Sequence, residues 1–552
     1  MTAHTFIAAR TSFREESARR RLAALLDPGS LTELLGPAER ITSPHLATLG
    51  LPVAFDDGVV VAEGTLEGAP VLAASEEGAF MGGAVGEVHG AKLVGLLRRA
   101  RRSRPGGVVL LLDSGGVRLQ EANAGLVAVS EVMRAVLETR AAGIPVVGLI
   151  GGSWGCFGGM GIVARCCDGL AASEEARLGL SGPDVLEATK GVEELDASDR
   201  ALVWRTYGGK HRWILGEVDL LVDDDAAAFR AAAVELLGRP RSLSREALEG
   251  EQARLAARVA VAGTAPDAAD LWRLAGADPA ALPILEAGAF RDAAAGARRL
   301  LATASPPARD PLGEGARLED PVLDALFPAG HEVREAAGVL RGAGRGPAGA
   351  VAVLGSRGGA ELGVEAALAL SAEVLRVVRE HPGRPILALV DSRGQRMTRR
   401  DEVLGLNGLL GHLAACVEAA RRAGHRVVAL VRGDAVSGGV LPLGFMADEV
   451  YALEGANPWV MSLPAMARVT KLPIERLEEL SRTSPVLAPG LDGFLRLGAI
   501  ESVWRPPLAA ALAAALAAAP GPDARADRGR ARGGRLLAAE VAARVAGGAD
   551  VR

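Results

Sequence analysis

One arrangement of residues occurs twice in this 552-residue chain, and it constrains the fold more than any other feature. The first copy is Val109-Leu110-Leu111-Leu112-Asp113-Ser114-Gly115-Gly116-Val117-Arg118. The second is Ile386-Leu387-Ala388-Leu389-Val390-Asp391-Ser392-Arg393-Gly394-Gln395-Arg396. Each apolar run ends in Asp-Ser, passes into a long helical stretch, and is followed by another apolar run with a glycine pair. Those pairs are Gly158-Gly159 and, after Ser437, Gly438-Gly439. Asp113 precedes Gly158 by 45 positions and Asp391 precedes Gly438 by 47, and residues 164–171 also correspond to 446–452. Near-equal spacing in two halves predicts duplicated domains of one fold, related by a pseudo-twofold, with a ligand cleft between them.

Within the first half, short β-rich runs at 59–62 and 71–74 read as a hairpin opening a sheet. A helix is expected at 89–102, a strand at 108–112, a helix at 119–140 and a strand at 144–147. Strands alternating with helices at this spacing predict βαβ units and a mostly parallel sheet, an α/β fold class. Before them, residues 1–11 read as a loose lead. Ser12 is a plausible N-cap for a helix, with Glu15 completing a capping box, and 31–35 reads as a second short helix.

The expected domains are 12–240, a helical extension and linker at 241–320, a second domain at 321–508 and an Ala/Arg-rich tail at 509–552. Helical periodicity is weak around 246–261, residues 305–311 read as the most flexible stretch, and 508–519 as helical before a mobile end. Aromatic residues make up only 3% of the chain and there are 70 glycines, so the core is built from Ala, Val and Leu around backbone-defined turns. Net charge is −5 with both signs interspersed, which argues against nucleic acid as a partner. Cys156, Cys166, Cys167 and Cys416 lack metal-ligand spacing and read as buried thiols. With no signal pattern and no run long enough to span a bilayer, the expected setting is the cytoplasm.

A strand that turns through glycines into a helix leaves unpaired N–H groups near the positive end of a helix dipole, where a ligand oxygen can approach. That is a means of holding an oxyanion. The structural alternative is a glycine turn that lets a helix pack tightly on a sheet.

These motifs resemble the crotonase-like carboxyltransferase superfamily, and within it the subunits of biotin-independent malonate decarboxylase. The beta subunit is resembled through Ser12-Phe13-Arg14-Glu15, Leu25-Leu26-Asp27-Pro28-Gly29-Ser30, Ser43-Pro44-His45-Leu46, residues 115–123, 155–161 and 199–206. The gamma subunit is resembled through residues 380–385, Asp391-Ser392-Arg393-Gly394-Gln395-Arg396, Ser437-Gly438-Gly439 and residues 461–471. The resemblance covers about 12–240 and 321–505. It implies two crotonase-like ββα-superhelix domains fused in one chain. It also implies decarboxylation of a malonyl thioester carried on an acyl-carrier protein, leaving the acetyl thioester. No cofactor is then expected on this chain itself. A phosphopantetheine-type arm (phosphoribosyl-dephospho-CoA) belongs to the carrier, and the acyl-carrier and acyl-carrier-transferase subunits are the expected partners. Whether the halves close within one chain or between copies is open, so a homo-oligomer is carried as a further partner.

Loss of carbon dioxide leaves an enolate on the thioester oxygen, which suits fixed N–H donors. The candidate donors are Gly115, Gly116, Val117, Gly158, Gly159, Gly438 and Gly439, with Gly116 and Gly159 favoured in the first half. Glu121, Gln395 and Ser437 are candidates to protonate the carbon; their structural alternatives are a helix first-turn acid, a turn amide and an N-cap. Arg118 is a candidate carboxylate clamp, with surface solvation as its alternative; His45 is a structural residue more than an acid; Arg468 with Lys471 is a contact for the carrier's phosphate-bearing arm or acidic face, with a solvated helix end as the alternative. Two rival readings are a biotin-dependent acyl-CoA carboxyltransferase and a non-catalytic scaffold subunit.

Overall fold

The computed structural model describes residues 11–547 apart from Thr264, residues 307–309 and Ala348. Most of the expected lead, the middle of the 305–311 stretch and the last five residues lie outside the described residues.

Two sheets are built the same way. The first runs in chain order: β1 (Thr32–Glu33), β2 (Val59–Leu66), β3 (Ala69–Glu76), β4 (Val108–Leu112), β5 (Val146–Ile150), β6 (Gly169–Ser173) and β7 (Leu220–Val222). The pairs β1/β2 and β2/β3 are antiparallel, and everything from β3 to β7 is parallel. The second contains β8 (Ala316–Arg317), β9 (Arg334–Ala336), β10 (Val339–Gly346), β11 (Gly349–Ser356), β12 (Ile386–Ser392), β13 (Val427–Val436), β14 (Glu449–Leu453), β15 (Asn457–Trp459) and β16 (Val503–Trp504). Its order is β16-β14-β13-β12-β11-β10-β9-β8, with β15 added beside β13. Here too an antiparallel hairpin (β10/β11) leads into parallel strands. This is the duplicated α/β arrangement expected from the sequence.

The central strands are buried on both faces, which is why they read as continuous apolar runs. On the outer face of the first sheet, Val60, Val71, Val109, Leu111, Val147 and Leu149 pack against the helices Ala18–Leu25 and Ala226–Leu237. On the outer face of the second, Leu340, Val353, Leu387, Leu389, Val428 and Leu430 pack against Pro321–Leu326 and Leu508–Ala517. The inner faces share one continuous apolar core that runs through both halves. The halves also share their supporting ties. Asp168 accepts from Val146 N (2.8 Å) and pairs with Arg140; Asp448 accepts from Val427 N (2.9 Å) and pairs with Arg421.

Three expectations change. Residues 31–35 hold strand β1, not a helix, because Thr32 and Glu33 pair with Glu63 and Ala62 at the sheet edge. Ser12 does accept from Glu15 N (3.2 Å), but the helix starts later, at Ala18. The tail is folded rather than mobile through residue 547. Helices Arg525–Ala531 and Ala538–Val545 return to the first half, where Arg535 makes a two-point ion pair with Glu131 (both 2.6 Å). Glu87 there accepts from Leu537 N and Ala538 N, and its other oxygen meets His45 Nε2 at 2.6 Å.

The middle segment is also more than a linker. Its helix Arg245–Ala262 lies against the second half, with Gln252 donating to Leu368 O and meeting His412 Nε2, each at 3.0 Å. Among the described residues, no helix is long and apolar enough to cross a membrane.

Candidate active site at the seam between the halves

The loops leaving the strand ends are organised by the duplicated Asp-Ser. In the first half, buried Asp113 accepts from Trp154 N (2.8 Å) and Arg21 Nη1 (3.0 Å), which ties the β4 loop to the β5 loop. Ser114 Oγ donates to Gly83 O and accepts from Gly116 N. In the second half, Asp391 accepts from Gly358 N (2.7 Å) and Asp434 N (3.2 Å), and Ser392 Oγ accepts from Gly394 N (3.1 Å). Gly116 and Gly394 sit at φ +103° and +106°, a left-handed backbone that favours glycine.

Strand register corrects how the two glycine pairs correspond. Ser114 bridges to Cys156, and Ser392 pairs with Ala435. Counting on, Gly158 matches Ser437, and Gly159 matches Gly438. Backbone conformation agrees: Gly158 has φ +59° and Ser437 φ +45°. The second half therefore places a non-glycine residue where L side chains are strained.

The N–H groups can now be traced. Gly115 N donates to Gly82 O (2.8 Å), Gly116 N to Ser114 Oγ (3.2 Å) and Gly158 N to Leu180 O (2.8 Å). These three candidate donors, Gly116 among the two favoured, are engaged inside the protein. Val117 N and Gly159 N have no acceptor among the described residues. Gly159 is the second residue of the nine-residue helix Gly158–Cys166, where free N–H groups are expected. The two loops touch, since a Cβ on Gly116 would stand 3.0 Å from Gly158 Cα. In the second half, Gly438 N donates to Gln395 Oε1 (3.2 Å), so that donor is stoppered by a side chain. Gly439 packs its backbone on Gly394, where a Cβ would lie 2.8 Å from Gly394 Cα.

The glycine-led starts of the two halves lie together within one chain. A Cβ at Gly159 would be 3.1 Å from Leu441 Cδ1, and one at Gly438 would be 3.5 Å from Leu180 Cδ1. The seam is packed rather than gaping: the Gly159 position is also 2.5 Å from Val129 Cγ1. Surface hollows lie elsewhere, one of about 690 Å³ beside Asp310, Glu332 and Arg376, and one of about 550 Å³ beside Arg140, Arg241 and Arg422.

Several polar candidates are occupied. Arg118 is fully buried and donates to Asp57 Oδ1 and Glu121 Oε1, both at 2.8 Å, so its guanidinium is not free to clamp a carboxylate. Glu121 also accepts from Glu87 N (2.9 Å) at the start of the helix Glu87–Ser103 and is not placed to give up a proton at the seam. The same device recurs in the second half, where Asp401 accepts from Val364 N and pairs with Arg396. Burial opposes protonation of His45, yet its hydrogen bond to Glu87 holds the imidazole above its ordinary value, a structural tie. Arg468 and Lys471 are exposed at the end of the helix Leu463–Thr470, which belongs to the second half and packs against Pro183–Lys190 of the first. Gln395 and Ser437 remain half-buried.

Sequence reasoning missed Glu402. This fully buried residue of the second half accepts from Leu180 N (3.0 Å) and Ser181 N (2.7 Å) of the first. Burial pushes its carboxyl up to about 7. It thus fixes the short segment whose Leu180 O holds Gly158 N. Tyr207 packs edge-on against Phe157 with its hydroxyl buried and unpartnered among the described residues. The one signal available for Glu402 was an acid leading the apolar run Val403-Leu404, which also suits an ordinary helix first turn.

Residues 14–241 match the family described as carboxyl transferase domain, and residues 357–549 match malonate decarboxylase gamma subunit. The latter runs through the stretch expected to be a tail. The chain is 41% identical over 288 residues to a malonyl-S-ACP:biotin-protein carboxyltransferase subunit, MADC, of Malonomonas rubra, covering 48% of this chain and 89% of that one. It is 42% identical over 123 residues to the companion subunit MADD, covering 22% and 42% respectively. Among solved structures, a Pseudomonas malonate decarboxylase hetero-tetramer in complex with malonate matches at 42% identity with a TM-score of 0.45, covering 48% of this chain and 98% of that one.

Proposed function

Because this chain belongs to the malonate decarboxylase carboxyltransferase family, with a beta-like and a gamma-like half in one polypeptide, we propose that it removes carbon dioxide from a malonyl thioester carried on an acyl-carrier protein. The carbon–carbon bond to the carboxylate breaks, carbon dioxide leaves, and the electron pair passes to the thioester as an enolate. Protonation of that carbon gives the acetyl thioester. The observation that carries this reading is the pair of unengaged amides, Val117 N and Gly159 N, flanking the contact between Gly116 and Gly158. Fixed donors of this kind contribute about 3 kcal/mol each to an oxyanion at an enzyme site. Gly115, Gly116 and Gly158 then shape the turn through their own internal hydrogen bonds.

The proton comes from water in this reading. Ser437, half-buried and without a side-chain partner among the described residues, is the side chain left to orient it. The exposed Arg468 and Lys471 suit the acidic face or the phosphate-bearing arm of the carrier. That arm is a phosphopantetheine-type group (phosphoribosyl-dephospho-CoA), and an acyl-carrier transferase is the further partner. Assembly with other decarboxylase subunits in the cytoplasm completes the proposal.

A second reading has one specific support. Both Malonomonas rubra relatives are named for transfer to a biotin protein, so the carboxyl group here could pass to biotin instead of leaving directly. The deciding experiment mixes the purified chain with a malonyl-loaded carrier and follows carbon dioxide, with and without a biotin protein and avidin. Release without biotin, insensitive to avidin, is the expected result. Release only with the biotin protein, abolished by avidin, makes the chain a carboxyltransferase.

A further inference from the structure

The duplicated halves act as controls for each other, and besides the exchange of Gly158 for Ser437 they differ in the residue that follows the turn. After the Asp-Ser turn the first half has Val117, whose side chain cannot hydrogen-bond; the second has Gln395 at the same register position. Gln395 Oε1 accepts from Gly438 N at 3.2 Å, while the matching Gly159 N has no such stopper. A backbone N–H can only meet the oxygen end of a carboxamide, so this contact fixes which way the amide faces. Its other end is an NH2 with two donors, and no acceptor among the described residues takes them. Gln395 is half-buried beside Leu180 of the first half, at the seam.

We propose that Gln395 is the specificity-determining residue that receives the free carboxylate of the acyl group through its Nε2 donors. This rests on the function proposed above and adds which group reads malonyl apart from acetyl. The chemistry favours a neutral donor. A cation would stabilise the substrate carboxylate most strongly in the ground state, and that charge leaves this position when carbon dioxide forms. The arginine that follows each turn is accordingly tied elsewhere, Arg118 to Asp57 and Glu121, and Arg396 to Glu365 and Asp401. A carboxamide held at its oxygen end gives orientation without a charge.

Malonyl-CoA and acetyl-CoA serve as probes on the full chain, the first read as KM and the second as the Ki of a competitive product. Gln395→Leu removes the donors, and the KM for malonyl-CoA is expected to rise about tenfold or more, as for a lost hydrogen bond to a charged group, with acetyl-CoA inhibition unchanged. Gln395→Glu keeps an oxygen for Gly438 N but sets a negative charge against the carboxylate, so it is expected to lose malonyl preference altogether. If Gln395 merely stoppers Gly438, the Glu variant behaves as wild type and the inference is overturned. A wild-type chain that turns over malonyl-CoA but binds both thioesters equally overturns it as well, leaving the proposed function standing. No turnover of any malonyl thioester removes the underlying function and this inference together.

Discussion

Arg118 illustrates how a residue in a motif can have the right type and the wrong job. An arginine two residues past a glycine turn suits a carboxylate substrate, yet its guanidinium is enclosed with Asp57 and Glu121 and has no exposure. Removing one member of such a cluster leaves buried charges uncompensated. Arg118→Leu is therefore expected to lower unfolding stability by about 3–5 kcal/mol in urea titrations. Lys471→Ala, on an exposed helix end, is expected to leave stability unchanged and weaken only the response to carrier. A functional clamp at Arg118 would give the opposite pattern: intact stability and a raised substrate KM. Gly159 carries a related lesson. A side chain there would press on Val129 at 2.5 Å, so loss of activity in a bulky variant would report packing as much as a missing donor.

At the scale of elements, the seam is held by a carboxylate from one half and backbone from the other. Glu402 has a folded pKa of about 7 against an ordinary value of 4.5, so the native state binds the proton more tightly than the unfolded chain. Its stability contribution is full below about pH 4.5 and is lost as pH rises towards 7. Glu76, pushed up to about 8 by burial, adds a slope of the same sign. Comparing wild type with Glu402→Gln isolates the first contribution: urea midpoints measured from pH 4.5 to 8 should fall less steeply in the variant. Equal slopes would mean that Glu402 is ionised throughout. What the sequence made legible here followed from covalent order. Strands at 108–112 and 144–147, the glycine turns and the duplication are written in apolar runs and spacing. The exchange of Gly158 for Ser437 was not, because the loop after β13 is shorter than the one after β5 and only pairing with the neighbouring strand sets the register. Glu402 was hidden for a similar reason, since its partners lie 221 and 222 positions away.

For the whole molecule, the Ala/Arg-rich C-terminal stretch was the largest misreading. Its composition reads as a helix followed by a mobile end, but the apolar stripe Ala538, Val541, Ala542 and Val545 is buried, mainly against the helix Glu87–Ser103 of the first half. Gly95 is the contact that allows this approach: a Cβ there would lie 2.7 Å from Ala542 O. The first half alone, residues 11–241, is thus expected to expose an apolar helix face and self-associate. Sedimentation with and without a peptide spanning 525–547 checks this, and the peptide should restore the monomer. A half that stays monomeric without it would make the segment dispensable.

The reach of that last helix has a further consequence for how the chain comes into being. Ala538 donates to Glu87 across 451 positions of sequence. At a synthesis rate of about 5–20 residues per second, the first half emerges about 15–60 seconds before the helix that covers it. During that interval its bare flank is available to any chaperone on the nascent chain, so the helix Ala538–Val545 is also what ends the first half's need for protection.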